Sequence, residues 1–275
     1  MNVDLHCHST ASDGLLEPGE LVTRAAANRV DMLALTDHDE TAGLASARAA
    51  AVKQGIHFID GVEISVTWRG TTIHVVGLRI DPENAELQEG LMAVRGSRAV
   101  RAARIGEALE RAGIRGSLAG AMAHAGNPAA ISRTHFARFL VDIGRAPDVR
   151  SVFRHYLVKG TPGYVPHQWA SLGDAVAWIR ASGGVAVLAH PGRYNLGRAD
   201  RRVLLAEFKG LGGAAIEVVT GSHTPSQFSE FARLAREAGL LASRGSDFHG
   251  DAGSRADLGA LPSLAGNLRP VWHNW

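Results

Sequence analysis

Cysteine is almost missing from this chain of 275 residues, in which Cys7 stands alone. A disulfide framework is therefore excluded, and a reducing compartment is expected. No apolar run approaches the roughly 20 residues that a transmembrane helix requires. The opening MNVDLHCH also lacks the charged and apolar regions of a signal peptide, so we expect a cytoplasmic protein without membrane association.

Nucleotide-binding loop motifs are missing as well. The chain has no Walker loop and no GxGxxG segment between a strand and a helix, which argues against triphosphate-driven motors and dehydrogenases. The formal net charge is only +2, so the surface as a whole is not expected to trap polyanions. Together with the lack of a long basic stripe, this argues against a non-catalytic nucleic-acid binder.

Apolar residues, in contrast, make up 45% of the chain, enough for a sizeable core. Strand-like and helix-like segments alternate in the first and last parts of the chain. This pattern predicts an α/β fold with a parallel sheet and outer helices, and six or seven such units could close into a barrel. Strand patterns are scarce in the middle. We therefore predict a barrel from residues 1–84 and 168–275, with a helical insertion at 85–167.

The stretch DLHCHSTASDG, near the start, contains the first group of candidate metal ligands. Because side chains alternate along a strand, His6 and His8 should share one face while Cys7 faces the other. Asp13 follows in a loop. Two imidazoles and a nearby carboxylate are typical of a metal site, whereas Cys7 is interpreted as packing.

Further candidates follow the predicted strands, and the site of a parallel barrel lies at the C-terminal strand ends. They are His38, Glu63, His74, His190, Asp247 and His249. Nitrogen and oxygen ligands without thiolates suit Mn, Zn or Fe. Nine candidates exceed the needs of one ion, so we expect two or three ions with Glu63 as a bridge. We interpret the remaining histidines as ordinary, namely His57, His124, His155, His167 and His273, with His223 a weaker candidate.

Two glutamates lie inside apolar strands, Glu63 in GVEIS and Glu217 in AIEVV. A buried carboxylate without a partner is costly, so each needs a metal or a basic partner. Glu63 is the better ligand candidate because His74 lies nearby in a predicted hairpin. The roles of Glu217 and His223 stay open.

Arginines recur at every third position in the predicted insertion, at Arg95, Arg98, Arg101 and Arg104. They form either a solvated basic face or part of a phosphate-binding lid. Arg133, Thr134 and His135 lie at a helix start, where anions are favoured, and guanidinium groups bind phosphate bidentately. Tyr164 and Trp169 could stack on a base or simply pack. The predicted substrate-binding residues are Asp13, His38, Arg101, Arg133, Thr134, His135 and Tyr164.

Clustered metal ions suit the hydrolysis of phosphate esters, because they clamp the attacking and leaving oxygens. A metal-bridging hydroxide would then be the nucleophile, and no Ser-His-Asp triad is needed. The residues predicted to carry catalysis are His6, His8, Asp13, His38, Asp247 and His249.

Six separated segments resemble the PHP (polymerase and histidinol phosphatase) family: DLHCHS, TDHD, GVEIS, IHVVGL, AHPGR and SDFH. The segments RTHFARFLV and GTPGYVP make the chain most similar to stand-alone phosphoesterases of the TrpH/YciV (RNase AM) type. The resemblance implies a distorted (β/α)7 TIM-like barrel with three metal ions, usually Mn²⁺, with Zn²⁺ or Fe²⁺ as alternatives. The implied ligands are His6, His8, Asp13, His38, Glu63, His74, His190, Asp247 and His249.

The resemblance also implies a function. The substrate would be a small nucleotide or short oligonucleotide, and no obligate protein partner is expected. The enzyme would release phosphate from 3′,5′-bisphosphonucleotides such as pAp, or remove nucleotides 5′→3′ from short 5′-phosphorylated RNA. Asp13 is a departure, since many family members carry another residue there. The alternatives are a histidinol-phosphate phosphatase and a non-catalytic PHP module.

Overall fold

Seven strands lie side by side in chain order in the computed structural model, which describes residues 1–251 and 254–275. The strands are β1 (Val3–Asp4), β2 (Met32–Leu35), β3 (His57–Trp68), β4 (Thr71–Leu78), β5 (Val185–Leu188), β6 (Ala215–Thr220) and β7 (Leu241–Gly245). The α-helices are α1 (Pro18–Ala27), α2 (Leu44–Gln54), α3 (Ala85–Arg111), α4 (Ser117–Ala123), α5 (Arg133–Asp142), α6 (Val149–Val152), α7 (Leu172–Ala181), α8 (Arg198–Gly210) and α9 (Pro225–Ala238).

The sheet is parallel except at β4, which runs antiparallel to both β3 and β5. The predicted parallel sheet is found at the other strand pairs, and β4 is the exception that the predicted hairpin requires. The reason is local: β3 and β4 form the predicted hairpin, and a short turn can only reverse the chain, whereas a parallel pair needs a crossover.

Backbone hydrogen bonds between the first and last strand regions close the sheet into a barrel. Leu5 N donates to Arg244 O at 3.0 Å, and Asp247 N donates to His6 O at 2.8 Å. Cys7 also bridges Phe248 in parallel. The predicted distorted TIM-like barrel is thus confirmed, with one antiparallel strand among seven.

The barrel has an inner and an outer core. Inside it, residues such as Leu5, Met32 and Val187 form one cluster, which also includes Val271 from the tail. Trp272 and Trp275 pack against this cluster beside Val185 and Leu241, the first residues of their strands. The tail therefore covers the end where strands begin, which leaves the opposite end for the site. A larger cluster fills the space between the strands and the outer helices.

Helices α3 to α6 lie between β4 and β5 and share an apolar cluster of their own, which includes Ile105, Phe136 and Leu157. The first turns of α3 instead pack on the barrel through Leu87 and Leu91. Helix α4 was not predicted. The sequence pattern predicts a single helix at 149–158, whereas the structure has α6 followed by a π-helical turn at Phe153–Leu157.

Two helix starts differ from the prediction. The sequence predicts a helix from Thr41 to Gln54, but α2 begins at Leu44, because Glu40 Oε1 accepts hydrogen bonds from Thr41 N and Ala42 N and holds a turn there. The sequence also predicts a helix from Arg201 to Lys209, but α8 begins three residues earlier, at Arg198. In the described ranges, no helix is long and apolar enough to cross a membrane.

Candidate metal centre

All nine predicted ligands lie at the end of the barrel opposite the tail. Most follow the C-terminal ends of their strands, while Glu63 and His74 lie within the β3–β4 hairpin. Their side chains form four overlapping groups. Within each group, the atoms that could bind a metal all lie within 4.8 Å of one another. The groups are His8, Asp13, His38 and His249; His6, His190 and Asp247; His6, His8 and Glu63; and His38, Glu63 and His74.

The opening HCH stretch alternates faces as predicted. His6 Nε2 and His8 Nε2 lie 3.2 Å apart. Cys7 points away, is fully buried in the outer core, and donates its thiol to Ala34 O at 3.2 Å. The interpretation of Cys7 as packing is confirmed.

Glu63 lies at the centre of the cluster. Its Oε1 is 2.8 Å from both His74 Nδ1 and His190 Nε2. Its Oε2 is 2.9 Å from His38 Nδ1 and 3.3 Å from His6 Nε2. His8 Nε2 is also 3.4 Å from Oε2, so both oxygens of one carboxylate face imidazoles that could share a metal ion with it.

Asp13 lies at the outer side of the cluster. Its Oδ1 is 3.3 Å from His249 Nε2 and 3.9 Å from His38 Nε2. The rings of His8 and His249 stack with centroids 4.0 Å apart, so the cluster continues from Asp13 back to the first strand. Asp247 Oδ1 closes it at 3.3 Å from His8 Nε2.

The arrangement of these nitrogen and oxygen atoms suits metal binding better than hydrogen bonding among the side chains themselves. Asp13 Oδ1, Glu63 Oε2 and Asp247 Oδ1 are buried carboxylate oxygens without a hydrogen-bond partner among the described residues. His38 Nδ1, although 2.9 Å from Glu63 Oε2, is not aligned for a hydrogen bond. Metal bonds of about 2.0–2.2 Å place neighbouring ligand atoms about 3.0–3.4 Å apart, which matches the spacings seen here.

Electrostatics keep the carboxylates charged. Burial disfavours the ionised form of Glu63, but the imidazoles of His74, His38 and His6 outweigh it and hold the pKa well below its usual range. At Asp13, burial again disfavours the ionised carboxylate. The imidazoles of His249 and His38 outweigh this effect and hold the pKa of Asp13 well below its usual range. The cluster therefore offers negative oxygens to a cation.

Three imidazoles of the cluster, those of His8, His74 and His190, favour the neutral, ligating form. Burial is the main cause of the lowered pKa of His190, about 3, and Arg193 adds to it. Burial also lowers the pKa of His8, with further contributions from His249 and His38. Each ring therefore has a nitrogen lone pair available for a metal.

Glu217 supports the ligands from behind. Its Oε1 is 2.7 Å from His6 Nδ1, and its Oε2 accepts a hydrogen bond from His190 N at 2.6 Å. This answers the open question about Glu217: its partner is an imidazole, and it leaves His6 Nε2 facing the cluster. Such carboxylates fix the orientation of a metal-binding histidine.

Asp37 fixes the loop that contains Asp13. Its carboxylate accepts hydrogen bonds from Ser9 N at 2.8 Å and from Ser12 Oγ at 2.5 Å. Burial raises the pKa of Asp37 to about 6 although these hydrogen bonds lower it. The sequence indicates Ser12 only as a turn former, because the contacts of Ser9 and Ser12 with Asp37 require the second strand to be in place.

The backbone at Asp247 contradicts one expectation. The sequence SDFH predicts an extended segment with Asp247 and His249 on one side, as in HCH, but Asp247 has φ +56°. His190 also has a positive φ, +25°. The left-handed conformation is tolerated by aspartate more readily than by most residues. The side chains of Asp247 and His249 nevertheless reach the cluster, although the backbone is not extended as expected.

The arginine series on α3 does not act as one face. The Arg98 guanidinium donates to Asp39 Oδ2, with Nε at 2.8 Å, and also to Ser65 Oγ. Arg95 donates to Asp39 O at 2.8 Å, whereas Arg104 is exposed. Arg95 and Arg98 thus anchor α3 to the barrel, and the predicted alternatives both fail for them.

Arg101 and Arg133 remain without an ion-pair partner in the described part of the chain. Burial, then the charges of Arg133 and Arg98, lower the pKa of Arg101 to about 9, while Tyr164 opposes this. Burial also lowers the pKa of Arg133. Cations placed together without carboxylates indicate an anion-binding position.

Trp169 packs and does not offer a stacking surface. It is 8% exposed, and the guanidinium groups of Arg98 and Arg101 cover it at 4.9 and 5.1 Å from the ring centroid. Tyr164 is half-buried and is the remaining aromatic candidate at this place.

The start of α5 contacts Asp13 through a residue that we missed. Ser132 Oγ donates to Asp13 Oδ2 at 3.0 Å and accepts from Thr134 N at 3.1 Å. Ser132 N donates to His135 Nδ1 at 3.0 Å, which completes a capping box. Thr134 N–H and His135 Nδ1 are thus used within the helix cap, whereas His135 Nε2 is buried without a hydrogen-bond partner among the described residues.

Arg193 is a second residue that we missed. Its Nη1 donates to Asp247 Oδ2 at 3.0 Å, and its side chain is about half exposed beside the cluster. It lies in AHPGR, three residues after His190, so the segment that indicated the ligand could also have indicated this arginine. The bond leaves Asp247 Oδ1 free to face His6 and His8.

A barrel with buried histidine and carboxylate groups at one end is typical of hydrolases that use divalent metal. Comparison with known proteins gives the family. The model of the PHP domain matches residues 4–127. A 3′,5′-nucleoside bisphosphate phosphatase of Chromobacterium violaceum is 52% identical over 98% of this chain and 95% of its own length. The chain belongs to the PHP family.

Two further likenesses agree. The 5′-3′ exoribonuclease Rnm of Escherichia coli is 45% identical over 99% of this chain and 93% of its own length. A solved amidohydrolase from Chromobacterium violaceum, with bound sulfate and no metal, has a TM-score of 0.96 at 52% identity and covers 99% of this chain and 95% of its own. The predicted family and the RNase AM type are confirmed, and the class is that of the metal-dependent phosphoesterases.

Proposed function

We propose that this chain is a cytoplasmic phosphoesterase that removes phosphate from 3′,5′-bisphosphonucleotides and nucleotides 5′→3′ from short 5′-phosphorylated RNA. The observation that carries the proposal is a ligand cluster beside two arginines that have no carboxylate partner among the described residues. Relatives of 52% and 45% identity carry the names of these two activities.

We propose that the cluster binds three Mn²⁺ ions, because its donor atoms form several overlapping groups. His6, His8 and Asp247 would hold one, with Glu63 as the bridge to a second that is bound by His74 and His190. Asp13, His38 and His249 would hold the third. When bound, the ions would neutralise phosphate oxygens and lower the pKa of a water.

Side chains of the protein itself would bind and orient the substrate. Arg101 and Arg133 would bind a second phosphate bidentately, with Tyr164 beside them. Arg193 would orient Asp247 and approach the scissile phosphate. Residues 85–167 would act as a substrate-binding lid, because Arg98 anchors α3 to the barrel while Arg101, three residues further, is close enough to Arg133 of α5 for their charges to interact.

A substrate panel tests the proposal. The protein is stripped with chelator, reloaded with Mn²⁺, and offered pAp, 5′-phosphorylated RNA, histidinol phosphate and p-nitrophenyl phosphate. We expect the highest kcat/KM for pAp or RNA, because only these present two phosphates, one to the metals and one to the arginines. Activity confined to histidinol phosphate would contradict the nucleotide assignment.

A further inference from the structure

A second group of arginines lies outside the metal centre, on the outer surface between α8 and α9. Two overlapping cavities of about 390 and 610 Å³ open there. We call this the α8–α9 groove and define it by Arg198, Arg201, Arg202, Glu230 and Arg233. Neither cavity is lined by a candidate metal ligand.

The groove follows from helical spacing. Arg198, Arg201 and Arg202 are at i, i+3 and i+4 on α8, and Glu230 and Arg233 are at i and i+3 on α9, so each set shares one helix face. The faces are joined across the groove by Arg201 Nη1, which donates to Glu230 Oε1 at 2.7 Å.

The groove has more positive than negative charge. Arg233 Nη1 donates to Glu237 Oε1 at 2.6 Å, and Arg202 Nη2 is 3.8 Å from Glu237 Oε2. Arg198 has no ion-pair partner within residues 1–251 and 254–275, and Arg201 Nε is buried without a hydrogen-bond partner there. Four guanidinium groups therefore share two carboxylates, which leaves donors for an anionic ligand.

The groove begins at the same end of the barrel as the metal centre. Helix α8 starts five residues after Arg193, whose guanidinium contacts Asp247. The first turn of α9 is tied to the same loop, because Gln227 Nε2 donates to Gly192 O at 3.1 Å and His223 Nε2 accepts from Gly192 N at 2.9 Å. A chain whose 5′ end lies at the metals can thus continue past Arg193 towards the groove.

We propose that the α8–α9 groove binds the phosphodiester backbone of single-stranded RNA on the 3′ side of the nucleotide being removed. This inference rests on the proposed function and extends its substrate class from mononucleotides to a chain. Contacts between guanidinium groups and phosphates carry no sequence information, so the binding should be independent of sequence. A mononucleotide held at the metals would not reach the groove.

The test is a double variant, Arg198→Ala with Arg233→Ala, which removes one arginine without an ion pair and one that pairs at i,i+4. The matched control is Arg48→Ala with Arg180→Ala, two exposed arginines outside the insertion, since Arg48 pairs with Asp60 and Arg180 has no ion pair in the described ranges. Binding of a fluorescent 5′-phosphorylated 12-nucleotide RNA is followed by anisotropy in chelator at several salt concentrations, and Mn²⁺-supported hydrolysis of the RNA and of pAp is measured separately.

We expect the groove variant to weaken RNA binding about tenfold and to reduce the slope of log K against log salt by about 2. KM for the RNA should rise, while kcat and KM for pAp stay unchanged. The proposed RNA site would be contradicted if wild type and variant had equal RNA affinity and salt slope. The same loss of binding in the control, or no RNA binding by the wild type, would also contradict it. Failure of the wild type to hydrolyse pAp would instead contradict the proposed function.

Discussion

The end of the barrel that contains the ligand cluster and the helical insertion differ in which charged groups lack a partner. At the barrel end, ionised carboxylates face imidazoles, and Glu217 and Asp37 support the groups in front of them. In the insertion, Arg98 is fully paired, but Arg101 and Arg133 have no carboxylate in the described part of the chain. The difference indicates that the barrel end is built for cations and the insertion for an anion, which together suit a phosphate ester between them.

The largest expected effect comes from removing a charge of the cluster. Asp247→Ala should lower kcat/KM on pAp about 1,000-fold or more, because metal ions supply several kcal/mol of transition-state stabilisation. The fold should persist, since Asp247 is on a loop after β7. Kinetics with Mn²⁺ and a thermal melt check both parts. If the variant kept a tenth of the wild-type activity, Asp247 would not be a metal ligand.

Breaking the anchor between the two regions should be next in size. Arg98→Ala leaves Asp39 buried without its cation, which typically costs about 3–5 kcal/mol. Urea denaturation measures the free energy of unfolding. Arg104→Ala, exposed on the same helix, is the control and should change it by less than about 0.5 kcal/mol. Equal effects of both changes would show that Arg98 does not anchor α3.

The support behind His6 should have an intermediate effect. Glu217→Gln removes the charge that orients the His6 ring, and loss of such a partner costs about 10–100-fold in metal affinity. Competition with a chromogenic chelator measures this affinity. The exposed Glu237→Gln serves as control. Unchanged affinity in Glu217→Gln would mean that packing alone orients His6.

The smallest effect should come from the insertion. Arg101→Ala is expected to raise KM for pAp about tenfold, the value of one charge-assisted hydrogen bond, with little change in kcat. Steady-state kinetics on pAp and p-nitrophenyl phosphate separate the two phosphates, and Arg104→Ala is again the control. A similar loss on p-nitrophenyl phosphate would argue against a role for Arg101 in binding the second phosphate.

Sequence by itself placed the strands, most helices and the nine clustered residues, because these depend on short-range patterns. Alternation along HCH fixes which side chains share a face, and apolar strands that end in histidine or aspartate mark one end of a barrel. Glu63 could be singled out because a carboxylate in an apolar strand needs a partner.

Only the tertiary structure decided what depends on contacts between distant segments. It paired Arg98 with Asp39 and Glu217 with His6, brought Ser132 to Asp13 and Arg193 to Asp247, and covered Trp169 with two guanidinium groups. The sequence around an arginine on a helix does not show whether its side chain anchors the helix, binds a ligand or is solvated. Its role is set by which carboxylate the fold brings within reach, and that partner lies 59 residues away for Arg98 and 54 for Arg193.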